Sequence, residues 1–340
     1  MSDVIDREEI RLRFVDSLKE FADNEFVFDS ENALREGTQR EAFTAFTTGI
    51  ENKHTHGYKE IPTGVGKTAT FVAIAKSYLK AAENQQQVLI TVPTEKLVKQ
   101  TVKSFQKFMP ELFKFKENGE IDWDNSDIGM QYGDAKHAGF KPRVLITTNQ
   151  SLSRDVHDKT YPPQDFGLVI YDEGDVITAP KFSEAVTKFK NSIQLGITAT
   201  AAYSPEKSLE KILEHKYYGL SLAEAINRGD LCNVRPVLLK TDCKIDEKKF
   251  AEFIKKQKGK PLTDKQLETL LNQETRNRAA LEAYLTASDP DSEERYLGQN
   301  GAIYCGGITH TNDVVELANR LLNDEAAYQP IKKWLESENK

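Results

Sequence analysis

The chain has 340 residues, of which 39% are hydrophobic and 29% are charged, and its formal net charge is −7. This composition is typical of a globular protein of about two domains and excludes a largely disordered chain. No run approaches the roughly 18 apolar residues that a membrane-spanning helix requires, and the charged N-terminus lacks the apolar region of a secretory signal. We therefore expect no membrane association. With a negative net charge, any contact with nucleic acid must come from a local patch.

The cysteines indicate the redox environment. Cys232, Cys243 and Cys305 lie far apart, and no two of them have the CxxC spacing of a metal or redox motif. This argues against a disulfide scaffold and against a zinc ribbon, and it is typical of proteins in a reducing compartment. We therefore predict a cytoplasmic location.

The first two-thirds of the chain alternates between helical and strand patterns. Residues 1–25 carry apolar side chains at helical spacing, and a second helical stretch begins near Glu31. Short apolar runs then alternate with helical stretches such as Ala69–Ala82 and Lys96–Phe108. The runs are Tyr58–Ile61, Val88–Val92, Ile128–Gln131, Val144–Thr147, Leu168–Tyr171 and Ile193–Thr198. Such runs suit strands buried on both faces, so the pattern predicts an α/β fold with a mainly parallel sheet flanked by helices.

The pattern changes beyond residue 204. Residues 241–300 are polar and mostly helical in character, which is typical of solvated helices. One more strand is predicted at Ala302–Cys305, followed by a helix whose start contains His310, which we interpret as a structural residue rather than a catalyst. We place a domain boundary between about residues 204 and 236.

The strongest local motif follows the first apolar run. Residues 62–68 read PTGVGKT and open a helical stretch. The residues predicted to surround a polyphosphate are Thr63, Gly64, Val65, Gly66, Lys67 and Thr68. The glycines permit turns that bring N–H groups onto phosphate oxygens, Lys67 would reach the β- and γ-phosphates, and the Thr68 hydroxyl would bind Mg²⁺. Ile61 stands where the strict pattern has its first glycine, so a glycine turn with a chance lysine is the alternative.

A second motif ends the run Leu168–Tyr171. Asp172 and Glu173 follow it directly and should lie at the carboxyl edge of the sheet, where nucleotides bind in doubly wound folds. Asp172 would hold Mg²⁺ through water, and Glu173 would orient and deprotonate an attacking water. The alternative is an acidic loop or helix cap without chemistry.

These strings resemble motifs of superfamily 2 helicases, the DEAD/DEAH-like ATPases. PTGVGKT at 62–68, DEGD at 172–175 and TAT at 198–200 resemble motifs I, II and III. Residues 92–100 and 146–152 resemble motifs Ia and Ib, and the segment 221–231 resembles the link between the two RecA-like domains of restriction-enzyme motor subunits. Residues 301–305, with Thr309 and His310, resemble motif IV.

The resemblance implies a P-loop NTPase of RecA-like fold that hydrolyses ATP with Mg²⁺ to move on, or unwind, DNA or RNA. Arg35 and Gln39 resemble the adenine-reading motif, although Gln39 could also be an ordinary surface glutamine. The residues implied to hold the nucleic-acid backbone, without sequence preference, are Pro93, Thr94, Thr148, Asn149 and Gln150. Thr198 and Thr200 would couple the phosphate site to the binding of nucleic acid. The alternatives are a plain strand-to-helix turn with a cap and a buried strand threonine.

The same resemblance suggests a domain division and a truncation. We expect an N-terminal helical extension (1–30), an ATP-binding RecA-like domain (31–220), and a linker with a partial second RecA-like domain (221–340). No string resembles the arginine-rich motif VI. We therefore expect a fragment that lacks motifs V and VI and works with the remainder of the helicase or with partner subunits, and a naturally short protein is the alternative. By itself the chain should bind nucleotide and have weak or no motor activity. DEGD leaves the subfamily open. A P-loop phosphotransferase and a non-catalytic nucleotide- or nucleic-acid-binding module remain alternatives.

Overall fold

The computed structural model of the chain describes residues 6–24, 37–83, 85–155, 160–202, 208–233, 246–257, 261–286, 303–329 and 331–333. The chain divides into two compact units, Met1–Asn233 and Val234–Lys340. The predicted boundary region, about 204 to 236, includes this division.

The first unit is built on a sheet whose described part has eight strands in the order β4-β3-β5-β2-β6-β7-β1-β8. The strands are β1 His56–Glu60, β2 Gln87–Val92, β3 Ile128–Tyr132, β4 Ala135–Lys136, β5 Val144–Thr148, β6 Phe166–Asp172, β7 Ile193–Thr198 and β8 His215–Gly219. Only the β3–β4 pair is antiparallel. The six predicted strands and the mainly parallel sheet are thus confirmed.

Helices cover both faces of this sheet. They are α1 Arg7–Asn24, α2 Thr38–Glu51, α3 Lys67–Ala82, α4 Glu95–Phe108, α5 Asn149–Asp155, α6 Pro180–Thr187 and α7 Leu222–Asn227. Alternate strand residues belong to two core clusters: Ile90 and Ile170 pack with α1 to α4, whereas Leu89 and Val169 pack with α5 and α6. Because both faces are covered, most residues of the central strands are buried and apolar.

Helix α1 belongs to the same core as the sheet. Its Phe14 is fully buried and makes edge-to-face contacts with Tyr78 of α3 and Phe46 of α2, with ring centres 5.1 and 6.1 Å apart. Such aromatic pairs add to the free energy gained by burial. The sequence analysis set residues 1–30 apart as an extension, but the described part of that segment shares a hydrophobic core with α2, α3 and the sheet.

The second unit is helical in its described part. It contains α8 Glu247–Gln257, α9 Asp264–Leu271, α10 Glu274–Thr286 and α11 Ile308–Asp324, as the polar, helical pattern predicted. The predicted strand at Ala302–Cys305 is wrong for its described residues, 303–305, which are irregular. Tyr304 is 95% exposed, and a strand needs a neighbouring strand to satisfy its backbone groups.

His310 lies at the start of α11, as predicted. Its two ring nitrogens contact the backbone N–H of Gly306 at 3.0 Å and the side chain of Asn277 at 2.9 Å. His310 is buried, and these bonds give it a structural role. Among the described residues, none of the helices is both long enough and apolar enough to cross a membrane.

Candidate active site

The phosphate-loop motif forms the connection between β1 and α3. Gly64 and Gly66 have φ angles of +96° and +88°, in the left-handed region that favours glycine. Gly66 is the residue that precedes the first turn of α3. The motif therefore folds as a strand–loop–helix unit that directs the start of α3 towards the loop.

Gln39 of α2 holds this loop in place. Its amide nitrogen donates a hydrogen bond to the carbonyl oxygen of Val65 at 2.8 Å, and Gln39 is only 7% exposed. A Cβ on Gly66 would lie 2.0 Å from the same nitrogen, so no larger residue fits there without movement. The side chain predicted to read adenine thus contacts the loop itself, and adenine recognition stays a prediction. Arg35 lies outside the described residues.

The loop presents unused hydrogen-bond donors. Within the described part of the chain, the backbone N–H groups of residues 64 to 69 donate no hydrogen bond. The first such bond near this end of α3 runs from Thr70 to the carbonyl of Gly66 at 3.4 Å. Unpaired N–H groups at a helix N-terminus carry partial positive charge and form a site for an anion.

The lysine and the glutamate meet across the sheet. The Lys67 ammonium lies 3.2 Å from the Glu173 carboxylate, with Lys67 mostly buried and Glu173 37% exposed. The meeting follows from topology, because α3 begins after β1 and Glu173 follows β6 at the same edge of the sheet. The structure therefore brings together two predicted residues that are 106 positions apart.

Asp172 ends β6 in a more enclosed position. Burial raises the pKa of its carboxyl from 3.8 to about 6, Lys67 works in the opposite direction, and the charge of Glu173 adds to the rise. Glu173 itself has φ +50°, which is uncommon for a residue with a side chain. The chain turns sharply here, so the two neighbouring carboxylates have different surroundings.

The residues predicted to couple the sites gather around Asp175. The Thr198 hydroxyl donates to the Asp175 carboxylate at 2.8 Å and accepts from the backbone N–H of Thr200 at 3.1 Å. The carbonyl of Thr198 also accepts from the N–H of Ile61 at 2.8 Å, just before the phosphate loop. The string at 198–200 thus contacts both motifs, but through Asp175, which the sequence analysis did not single out.

The predicted nucleic-acid residues follow two paired strands. Val92 lies opposite Thr148 in the parallel pairing of β2 and β5, so Pro93 and Thr94 share a sheet edge with the other group. Thr94 is exposed and its hydroxyl caps α4 by accepting from the N–H of Leu97 at 3.3 Å. That contact is the cap that the sequence analysis left as the alternative.

The second group has one buried, one half-buried and one exposed member, which are Thr148, Asn149 and Gln150. The Thr148 hydroxyl is buried, donates to Ser151 at 3.0 Å and accepts from its N–H at 3.1 Å. Gln150 is exposed, and the Asn149 side-chain oxygen is buried without a hydrogen-bond partner among the described residues. Gln150 and Asn149 are therefore the members with unused polar groups.

The segment that resembles a domain link packs on the same site. Thr38 of α2 donates a hydrogen bond to Asp230, and Arg228 lies 2.7 Å from Glu41. Leu231 would lie 3.0 Å from a Cβ on Gly64. Sequence reasoning missed these contacts, since only the resemblance at 221–231 marked the segment.

The metal prediction names Thr68 and Asp172. The described residues contain no group of three or more His, Cys, Asp or Glu side chains that could enclose a metal ion. A site for Mg²⁺ usually supplies one or two protein ligands, with substrate phosphates and waters completing the shell. One hydroxyl and one half-buried carboxylate beside a phosphate loop fit that requirement.

Comparison with known proteins identifies the family. Residues 31–202, just over half of the chain, match the family described as type III restriction enzyme, res subunit. The chain belongs to this family. It is a superfamily 2 helicase-like protein, as the motifs suggested, and its first unit has the predicted mainly parallel sheet flanked by helices.

The individual relatives of this chain have low sequence identity to it. A 99-residue stretch is 28% identical to the helicase/translocase subunit XPB2 of general transcription and DNA repair factor IIH from Arabidopsis thaliana, covering 28% of this chain and 13% of that protein. The UvsW helicase of bacteriophage T4 is 16% identical over 60% of this chain and 66% of its own, with a TM-score of 0.44. The Hef helicase domain of Pyrococcus furiosus is 18% identical over 82% and 53%, with a TM-score of 0.45. The chain thus spans only part of the length of these proteins.

Proposed function

We propose that this chain hydrolyses ATP and couples hydrolysis to movement on, or unwinding of, DNA or RNA. The observation that supports this most is the 3.2 Å contact between the Lys67 ammonium and the Glu173 carboxylate beside a loop of unpaired N–H groups. This set combines a cation for the phosphates with a carboxylate that can act as a base.

The geometry suggests an exchange of partners on nucleotide binding. A triphosphate on the loop would accept hydrogen bonds from the N–H groups of residues 64 to 69 and draw the Lys67 ammonium away from Glu173. Glu173 would then be free to take a proton from a water in line with the γ-phosphate. Without nucleotide, the Lys67–Glu173 pair holds the base in an unproductive contact.

Thr68 and Asp172 would hold Mg²⁺ at this site. The ion would neutralise charge on the phosphate oxygens when bound. Asp172 is suited to this position because its ionised form is disfavoured by burial, so a nearby cation would relieve that cost.

Nucleic acid would bind along the edge that carries Pro93 and Thr94 after β2 and Asn149 and Gln150 after β5. Contacts there are to backbone phosphates, and so we expect no sequence preference. Thr198 would transmit the state of the phosphate site through Asp175. The plant relative is named as a helicase/translocase subunit, and the same activity is our proposal for this chain.

The experiment is an ATPase assay with and without single-stranded and double-stranded DNA and RNA. We expect turnover stimulated by nucleic acid and a loss of at least about a hundredfold in Glu173→Gln, the range expected for a general base. Glu117→Gln, at an exposed glutamate away from the site, is the matched control. Turnover that ignores nucleic acid but phosphorylates an added acceptor would instead support a phosphotransferase, and equal rates in wild type and Glu173→Gln would support a non-catalytic module.

No string in this sequence resembles the arginine-rich motif VI. We also propose that the remainder of a longer helicase, or a partner subunit, contributes the arginine of that motif. An arginine of that kind is worth on the order of 10³–10⁵ in rate in other phosphoryl-transfer systems. A large rise in turnover on addition of such a partner would support this part of the proposal. A cytoplasmic location stays a prediction.

A further inference from the structure

A cavity of about 300 Å³ lies where the parallel strands begin, at the end of the sheet opposite to the phosphate loop. Its wall includes Thr55, which precedes β1, Gln86, which precedes β2, Gly167 in β6 and Ser192, which precedes β7. These are the N-terminal ends of parallel strands, whereas Lys67 and Glu173 lie near the C-terminal ends. The strands are five to seven residues long, so the two sites are roughly 15–20 Å apart.

The cavity wall contains a buried donor with no partner. Gln86 is 5% exposed, and its side-chain nitrogen has no hydrogen-bond partner among the described residues. The Tyr78 hydroxyl donates to the Gln86 side-chain oxygen at 2.8 Å, which fixes the amide so that the nitrogen is the unused end. A buried N–H group without an acceptor is unfavourable, so an acceptor from a ligand would stabilise it.

Gly167 makes room for this arrangement. A Cβ at residue 167 would lie 1.7 Å from the Tyr78 hydroxyl and 2.3 Å from the Gln86 side-chain oxygen. Any larger residue would expel the Tyr78–Gln86 pair. The fold therefore accommodates a polar pair in the cavity wall, which also contains the apolar side chains of Ile10 and Ile193.

The side chains that line the cavity carry a net positive charge. Arg11 and Glu8 line it but are paired with each other at 2.8 Å. Arg7, which donates to the carbonyl of Asn191, and Lys190 supply the remaining charge. Lys190 forms no ion pair within the part of the chain that the structure describes. Two cations and an unused amide donor around one small cavity match a dianion with several acceptor oxygens.

We propose that this cavity binds a phosphate group, either as the free ion or as a small phosphate monoester. Phosphate carries between one and a half and two negative charges near pH 7 and has three strong acceptor oxygens on a monoester. Arg7 and Lys190 would neutralise the charge, and the Gln86 amide would donate to an oxygen. The site is separate from the proposed nucleotide site and does not depend on it.

The test uses Lys67→Ala protein so that phosphate binding at the phosphate loop does not contribute to the measurement. Lys67→Ala protein is titrated with inorganic phosphate and with phenyl phosphate at constant ionic strength, using calorimetry and ³¹P NMR. We expect saturable one-to-one binding in the millimolar range or tighter. Tighter binding of phenyl phosphate would identify the monoester, and equal or weaker binding would identify the free ion. Acetate should bind clearly more weakly than either.

Added substitutions locate the site. In the Lys67→Ala protein, Lys190→Gln and Arg7→Gln should each weaken phosphate binding about tenfold or more, the loss expected for a charge-assisted hydrogen bond. Lys188→Gln, an exposed lysine two residues away that does not line the cavity, should leave binding unchanged. Circular dichroism checks that each variant is folded.

Three results would overturn the proposal. One is the absence of saturable phosphate binding in Lys67→Ala protein when wild type binds, which would assign the phosphate to the loop. Another is equal weakening by Lys190→Gln and Lys188→Gln. The third is acetate affinity that matches phosphate affinity, which would contradict a dianion site. The first outcome would place phosphate at the loop, and the other two concern only this cavity. Each of them leaves the proposed ATP hydrolysis standing, so the two proposals fail independently.

Discussion

Lys59 is a fully buried lysine of β1, the strand that leads into the phosphate loop, and replacing it with methionine should stabilise the protein. Its ammonium group has no hydrogen-bond partner among the described residues and lies 5.0 Å from the centre of the Phe46 ring. Burial lowers the pKa of Lys59 from 10.5 to about 7. The folded state therefore disfavours the protonated form that predominates in the unfolded chain at neutral pH.

The size of this effect follows from the pKa difference. The difference between 10.5 and about 7 corresponds to about 5 kcal/mol of lost stability when Lys59 is charged in both states. The unfolded chain binds more protons than the folded one between pH 7 and 10.5, so wild-type stability should rise with pH there. We expect Lys59→Met to gain roughly 3–5 kcal/mol at pH 7, allowing for contacts of the lysine stem and the Phe46 ring.

The assay is urea unfolding at several pH values from 6 to 9.5. Trp123 lies in the first unit, and a Trp334→Phe background restricts the tryptophan signal to it. The gain from Lys59→Met should shrink by about 1.4 kcal/mol per pH unit above pH 7. Lys103→Met, at an exposed lysine of α4, should show no such trend. A gain that stays constant from pH 7 to 9.5, or a loss of stability at pH 7, would refute the reasoning.

Three further predictions concern the site. Gly66→Ala should destabilise the protein by about 2 kcal/mol more than Gly119→Ala, because both glycines have positive φ but only the Cβ at 66 meets Gln39; equal losses in urea unfolding would contradict this. Asp172→Asn should stabilise the protein at pH 7 by roughly 2–3 kcal/mol, because burial raises the pKa of Asp172 from 3.8 to about 6. That gain should fade in unfolding experiments as the pH falls from 6 to 4, and a constant gain would argue against a buried charge. Thr198→Val removes the 2.8 Å bond to Asp175 and should reduce nucleic-acid stimulation of the ATPase by about fivefold while ATP affinity is unchanged; unaltered stimulation would exclude a coupling role.

Much of the sheet could be predicted because most of its inner strands are rich in apolar residues, β1 with the buried Lys59 being the exception. The two strands that sequence reasoning missed lie at the edges. β8 has the sequence HKYYG and includes exposed and half-buried polar side chains, and β4 is only two residues long. Neither contains an apolar run, since an edge strand does not need one. The opposite error at Ala302–Cys305 arose because a local apolar pattern does not show whether a partner strand is present.

The candidate site divides in the same way. Gly66, Lys67 and Glu173 stand in contiguous strings whose residue types already suggest the chemistry. The partners of Gln39 and Thr198 could not be predicted, because the fold alone decides that Gln39 faces the Val65 carbonyl and that Thr198 meets Asp175. The cavity at the other sheet edge has no motif, since it combines single residues from the starts of several strands.

The most direct test of the account is the affinity of the protein for Mg²⁺–ATP in three forms: wild type, Lys67→Ala and Glu173→Gln. Lys67→Ala should weaken binding by about a hundredfold or more, because it removes the cation that reaches the phosphates. Glu173→Gln should bind at least as tightly as wild type, because it removes the carboxylate that competes for Lys67 at 3.2 Å. Unchanged affinity in folded Lys67→Ala protein would contradict the central claim that this lysine and loop hold the triphosphate.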